Sequence, residues 1–277
     1  MRGAFRRGTP VKVLILSVCT KEHAYLIRKI RDAFPDTAVV KIGGPDPSAA
    51  PAKIRPERDR PSLARRVREA IVDWIGTMRR RSLERRLFPP GEDSSISISL
   101  RVPDPNSPEA EEQMRALEPA VVVVFGAPIL KAGVLSLGTH ATVNVHLGIP
   151  PKYRGNNTIF WALKQRDFDH VGACLHHVAP GVDTGNVLAE ALPALSRWSN
   201  DLDATVGAIR LISTATVDFL KFVEAKGRSP TGTPQTGESH NYRGADRTLP
   251  VALAYVLQRA LPGGGPTPRE DRVVVHY

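Results

Sequence analysis

Cysteine is nearly missing from this 277-residue chain, which has only Cys19 and Cys174. Two widely separated thiols supply neither a disulfide framework nor the paired Cys/His spacing of a zinc site, so no metal site is expected. A reducing, cytoplasmic setting is the simplest one for such a chain. Long apolar runs are missing too: none approaches the roughly 20 residues that span a bilayer. The basic start MRGAFRRGTP leads into VKVLILSV, a short strand rather than the apolar core and cleavage site of a signal peptide. Acidic residues are the scarcer charge, 28 against 38 Lys/Arg, and the net charge is +10. Much of that excess lies between Lys53 and Arg86, with 12 Lys/Arg against 5 Asp/Glu. Such a patch can draw an anionic partner: tRNA, a nucleotide-linked substrate or an acidic carrier. However, Leu63, Val67, Ile71, Trp74 and Met78 fall at helical spacing, so the same arginines fit the wet face of an amphipathic helix.

What is present reads as an α/β domain. Val11 to Val18 suits a buried strand, Glu22 to Phe34 a helix and Thr37 to Ile42 a second strand, together a parallel βαβ unit. Ser95 to Val102 alternates like a half-buried strand, and Ser107-Pro108 starts a helix to Leu117. Val121 to Phe125 is apolar throughout, as expected for a strand covered on both faces. Ala141 to His146 and Val171 to Val178 read as further strands. The expected fold is Rossmann-like: a mostly parallel sheet with helices on both faces, its functional loops at the carboxyl ends of the strands. After Trp198, Ser199 or Asn200 caps a long helix to about Lys226 with Gly227 as its stop. Residues 228–249 read as a linker, Pro250 to Leu261 as a short helix and Arg272 to Tyr277 as a terminal strand. This divides the chain into a catalytic domain, 1–195, with a basic helical insertion at about 53–88, and a mainly helical extension, 196–277.

Chemistry concentrates between Thr142 and Gly185. Asn144 and His146 are two apart on a strand, so both side chains point to one face, at the strand's end. A carboxamide and an imidazole there can polarise a carbonyl and move a proton. Beyond them come Pro150-Pro151, Tyr153-Arg154-Gly155, Gly172-Ala173-Cys174-Leu175-His176 and Asp183-Thr184-Gly185. This ordered set resembles the formyltransferases that use 10-formyltetrahydrofolate, whose acceptors include methionyl-tRNA, glycinamide ribonucleotide and amino sugars. The likeness runs from about Leu117 to Leu188 and more loosely over the N-terminal strand and helix.

The resemblance implies roles. An acceptor amine attacks the formyl carbon carried on N10 of the folate, and the tetrahedral intermediate bears a negative oxygen. Asn144 and His146 would donate hydrogen bonds to that oxygen, and His146 would also shuttle a proton. Asp183 would orient His146, raise its basicity or position a relay water. Gly126, Pro128, Ile129 and Leu130, with Ala179, Gly181 and Val182, would cradle the pterin. Tyr153, Arg154 and Gly155 would shape the substrate-side turn, and His176 would orient substrate or structure. Trp161 would pack beneath the helix after the turn, while His170 and His177 have no motif support.

The chain departs from the family's pattern at Gly148, where many members have Ser, and at Cys174, where they have Thr. It also lacks the Gly-rich loop of the purine-pathway enzyme, the Gly-Thr-Pro-x-Phe pattern of the methionyl-tRNA enzyme and the latter's run of five short C-terminal strands. These absences favour a small-molecule amine acceptor, an amino sugar, an amino acid or a natural-product intermediate. A tRNA formyltransferase, a formyltetrahydrofolate hydrolase and a non-catalytic folate-binding module are the rival readings. The chain can also be oligomeric, which its sequence leaves open.

Overall fold

A computed structural model of the chain describes residues 11–43, 77–92, 94–261 and 263–277. Most of the basic segment, and with it Leu63, Val67, Ile71 and Trp74, lies outside the described residues.

The apolar runs become strands β1 (Val13–Ser17), β2 (Ala38–Ile42), β4 (Val121–Phe125) and β5 (Ala141–His146), with α1 (Lys21–Ala33) between the first two. β4, and β1 apart from Ser17, are apolar on both sides because both sides are covered, whereas β5 turns Thr142, Asn144 and His146 to one side. Val13 and Ile15 of β1 pack with Val121, Val123 and helix α1, whereas Leu14 and Leu16 pack with Val122, Val124 and the opposite face. That second face is closed by α3 (Pro108–Arg115) and the single turn α4 (Ala132–Leu135), through Ala110, Met114 and Val134. Helices on both sides and five mutually parallel strands give the expected Rossmann-like architecture.

Between Ser95 and Val102 only β3 (Leu100–Val102) joins the sheet, beside β2. The sheet also continues past β5 in the other sense. Strands β7 (Ala173–His177), β8 (Val187–Leu192) and β10 (Arg272–Val275) pair antiparallel in turn, giving the order β10-β8-β7-β5-β4-β1-β2-β3. The terminal strand was anticipated, whereas β8 was not: VLAEAL has little turn punctuation and no β-branched run to mark it.

The long helix α6 (Asp201–Lys226) begins at Asn200, whose side chain accepts from the N–H groups of Leu202 and Asp203, and Asp203 reciprocates. It ends at Gly227 in the left-handed conformation, φ +64°. It packs on α1, β7 and β8, so the C-terminal segment shares the main core. The described part of the basic segment, α2 (residues 77–87), buries Leu83 and Leu87, together with Phe88, against Ala24, Val206 and Ile209, leaves Arg80, Arg81, Arg85 and Arg86 exposed and turns Arg79 to Asp201. Next to β5, the short strand β6 (Arg154–Gly155) pairs in parallel with β9 (Asn241–Tyr242), and α5 (Thr158–Lys164) follows β6.

Candidate active site

Parallel β1, β4 and β5 end along one edge of the sheet, where the chain leaves for Cys19, Gly126 and Leu147. Asn144 and His146 point from β5 toward the second face, as their spacing requires. Antiparallel β7 sets His176 opposite Asn144 and Cys174 opposite His146. The loop from β7 to β8 then folds Asp183 over all of them, with its backbone at φ +50°.

Asp183 is the hub. Its Oδ1 accepts from Asn144 Nδ2 at 3.2 Å and lies 3.4 Å from His176 Nε2. Its Oδ2 accepts the Gly155 N–H at 3.0 Å and lies 3.3 Å from His146 Nδ1. Burial opposes its charge, but His176, His146 and the Gly155 N–H outweigh burial and hold the carboxyl well below the usual range.

The ring of His146 has a defined polarity. Tyr153 O, 2.9 Å from Nε2, can only accept, so Nε2 carries a hydrogen and Nδ1, facing Asp183, is the nitrogen that takes up a further proton. Burial lowers the proton affinity of His146, with His176 and Arg154 adding to that effect, while Asp183 and the Tyr153 carbonyl act the other way. His176 donates Nδ1–H to His177 O at 2.7 Å and has Nε2 3.2 Å from Asn144 Nδ2. It thereby fixes the Asn144 amide. Cys174 beneath is fully buried; burial, then Asp183 and Glu190, push its thiol well up, so it stays a neutral packing group.

Two cavities meet at this cluster. The smaller, about 140 Å³, is a slot between Ala127–Leu130 and Val178–Asp183, with Asn144 and His176 at its base. Six of the seven residues expected to cradle a pterin line it, and Gly126 lies in the adjoining cleft. Ile129 is 76% exposed at its rim, an apolar side chain held in solvent. The larger cleft, about 620 Å³, takes in His146, Asp183, Gly155, Asn156, Asn157 and Tyr242.

Tyr153 and Arg154, expected to shape the substrate-side turn, keep their side chains off the cleft lining. Tyr153 is fully buried, its hydroxyl donating toward Gln165 and Asp167, so it serves the site through its backbone carbonyl and not through a ligand contact. Arg154 turns to Gln235 and Ser239, and its guanidinium is taken up there. Trp161 packs as expected within α5, stacked on Tyr242 at 5.0 Å. His170 makes a local bond to Asp167, and His177 reaches across to Pro230 O.

Other residues carried no warning. His23, on the first turn of α1, lines the cleft with Nδ1 bonded to Ser17 Oγ at 2.8 Å, and burial drives its pKa down to about 4. Asn241, Tyr242, Arg243 and Arg247 form a wall from what reads in sequence as a linker. Arg247 and Arg79 converge on Asp201 Oδ2, at 3.0 and 2.9 Å. Asn156 and Asn157, directly after Gly155, were the one available signal, since polar residues beside a reactive motif face the same cavity. Among the described residues no group of His, Cys, Asp and Glu is placed to hold a metal ion, and no helix is long and apolar enough to cross a membrane.

Asn144, His146 and Asp183 thus form one polar cluster between two pockets at the carboxyl ends of the parallel strands. Residues 94–203 match the family model described as formyl transferase. The chain is 26% identical over 190 residues to methionyl-tRNA formyltransferase of Neisseria meningitidis, covering 65% of this chain and 61% of the relative. It is 43% identical over 143 residues to the Xanthomonas campestris protein of that name, covering 49% and 44%. The chain thus spans about three fifths or less of the length of these curated relatives. Among solved structures it is similar to a sugar N-formyltransferase from Shewanella, with TM-score 0.55, 13% identity and 96% and 98% of the two chains covered. It is also similar to glycinamide ribonucleotide transformylase 1 from Symbiobacterium toebii, with TM-score 0.51, 15% identity and 85% and 99% covered. At these identities the structural likeness establishes the shared fold.

Proposed function

We propose that the chain is an N-formyltransferase that moves a formyl group from 10-formyltetrahydrofolate to a primary amine of a small-molecule acceptor. One observation carries this: Asn144 and Asp183 line both cavities, so a donor in the slot and an acceptor in the cleft would meet at the same polar groups. The folate supplies a formyl group activated by attachment to nitrogen. Ala127–Leu130 and Val178–Val182 would hold its flat ring system.

The residues of the chain then divide the work. Asn144 aims an amide N–H at the place where charge builds on the formyl oxygen; its contacts with Asp183 and His176, both 3.2 Å, are long enough to be exchanged for that oxygen. His146 takes the proton of the attacking amine on Nδ1, where Asp183 stabilises the resulting cation. Tyr153 O keeps Nε2 occupied and the ring oriented, so base function comes directly from this geometry, and donation to the oxygen falls first to Asn144.

The small-molecule reading draws on the cleft of about 620 Å³ beside His146 and on the likeness to the sugar N-formyltransferase from Shewanella. The sequence relatives named for methionyl-tRNA favour a second reading, tRNA as acceptor. Incubation with 10-formyltetrahydrofolate and a panel of amines, followed by tetrahydrofolate release, separates them. Release dependent on a small amine and abolished in His146→Ala is the expected result. Release without any amine indicates a hydrolase, release only with charged initiator tRNA the second reading, and undiminished turnover in His146→Ala removes the mechanism.

A further inference from the structure

Helix α7 (Leu249–Ala260) lies on the body through Tyr255, which is buried, and Val251, which packs at the edge of the core. Its outward side carries Leu249, Leu253, Val256 and Leu257, and Leu261 follows at its end, all 54–69% exposed. The remaining exposed positions of the helix are Pro250, Ala254 and Ala260, so no polar side chain interrupts the outward face. The helix has one charge, Arg259, and that guanidinium is bonded to the carbonyl oxygens of Trp198 and Ser199. Trp198 stands beside it with its own ring 74% exposed.

We infer that this face is the contact between two copies of the chain. The five aliphatic side chains offer on the order of 600 Å², the top of the range for the largest apolar patch of a monomer. With Trp198 the area approaches the roughly 800 Å² that each partner contributes to a stable interface. Charge selects the occupant. Two molecules of net charge +10 meet most readily through a surface of low charge: the outward face of the helix carries none, Arg197 at its margin lies over the Trp198 ring, and a uniform aliphatic helix face is complementary to itself about a two-fold axis. A membrane surface fits less well, because interfacial helices flank the apolar stripe with free Lys and Arg, and here the helix's single Arg is bonded to the protein's own backbone.

The test is the mass of the full chain in solution, by light scattering after size exclusion, with Leu253→Lys/Leu257→Lys as the altered form. A dimer that becomes a monomer in the double variant, with unchanged circular dichroism, is the expected result. A monomeric parent protein, or a dimer that survives the double variant, overturns the inference. Hydrogen exchange on the parent protein serves if the variant does not fold. Protection of residues 249–261 that rises with protein concentration supports the dimer, and protection that rises only on adding phosphatidylcholine/phosphatidylglycerol vesicles overturns it in favour of a lipid surface.

Discussion

Gln235 reaches out of the C-terminal loop to donate its amide to the carbonyl oxygen of Asp183, 2.9 Å away. The same nitrogen also donates to Gly185 O at 2.7 Å, and Oε1 accepts from Arg154. One side chain therefore ties the loop that carries Asp183 to the turn that carries Gly155. In Gln235→Glu an oxygen replaces the donating nitrogen, so the Arg154 contact survives and both carbonyls lose their partner. With roughly 1 kcal/mol for each lost bond, formyl transfer is expected to slow about tenfold, with only a modest fall in Tm. Steady-state rates beside a thermal melt check this; an unaltered rate removes Gln235 from the positioning of Asp183.

Asp183→Asn is expected to shift the pH profile as well as the rate. The carboxylate raises the proton affinity of His146 against the effect of burial. Without its charge the ring protonates at lower pH, and the acid limb of kcat/KM moves down. A limb that stays in place would mean that another group sets it.

His23 links the site to stability. Its pKa falls from 6.5 in the unfolded chain to about 4 in the fold, because burial disfavours the cation. Above pH 6.5 the ring is neutral in both states. Below it the unfolded chain takes up the proton first, so stability declines as pH drops and levels off only near pH 4, by about 3 kcal/mol in total. Urea unfolding of the parent protein and His23→Gln between pH 7.5 and 4 should show a pH slope shallower by about one proton in the variant.

Restoring the serine that many formyltransferases carry at position 148 is expected to harm this chain. A Cβ on Gly148 would lie 2.6 Å from each of His146 Nε2, Thr158 Oγ1 and Tyr153 O. Gly148→Ser therefore displaces the bond that orients His146, with a stability loss of about 1–3 kcal/mol from overpacking and a fall in kcat. Denaturation midpoints and rates test it; a fully active, equally stable variant would show that the turn yields freely.

Local sequence carried much of this architecture because its signals were local. The unbroken apolar run Val121–Phe125 and the alternating run Ala141–His146 became strands at those bounds, and α6 opens on the Asn200 side-chain cap and closes where Gly227 adopts a left-handed backbone. The period of two in a strand was enough to put Asn144 and His146 on one face. What sequence withheld depends on pairings between distant segments. His176 meets Asn144 only because β7 runs antiparallel to β5 in one particular register, with an irregularity between Leu175 and His176 where β7 pairs with β8. His23 reads as an ordinary helical position until β1 and β4 bring Ser17 and Phe125 around it. The polar stretch 228–249 has the composition of a linker, and long-range contacts make it a wall of the cleft: its pairing with Arg154 and Gly155, Gln235 on Asp183 and Arg247 on Asp201.

That small pairing of β6 with β9 separates two properties of the molecule along the chain. The reactive cluster comes from residues 144–183, while the cleft's outer wall is supplied by residues 241–247. A fragment ending at Gly227 would keep every recognisable motif and lose its acceptor wall. Conversely, changing residues 243–247 alone alters that wall and leaves Gln235 in place on the loop that carries Asp183.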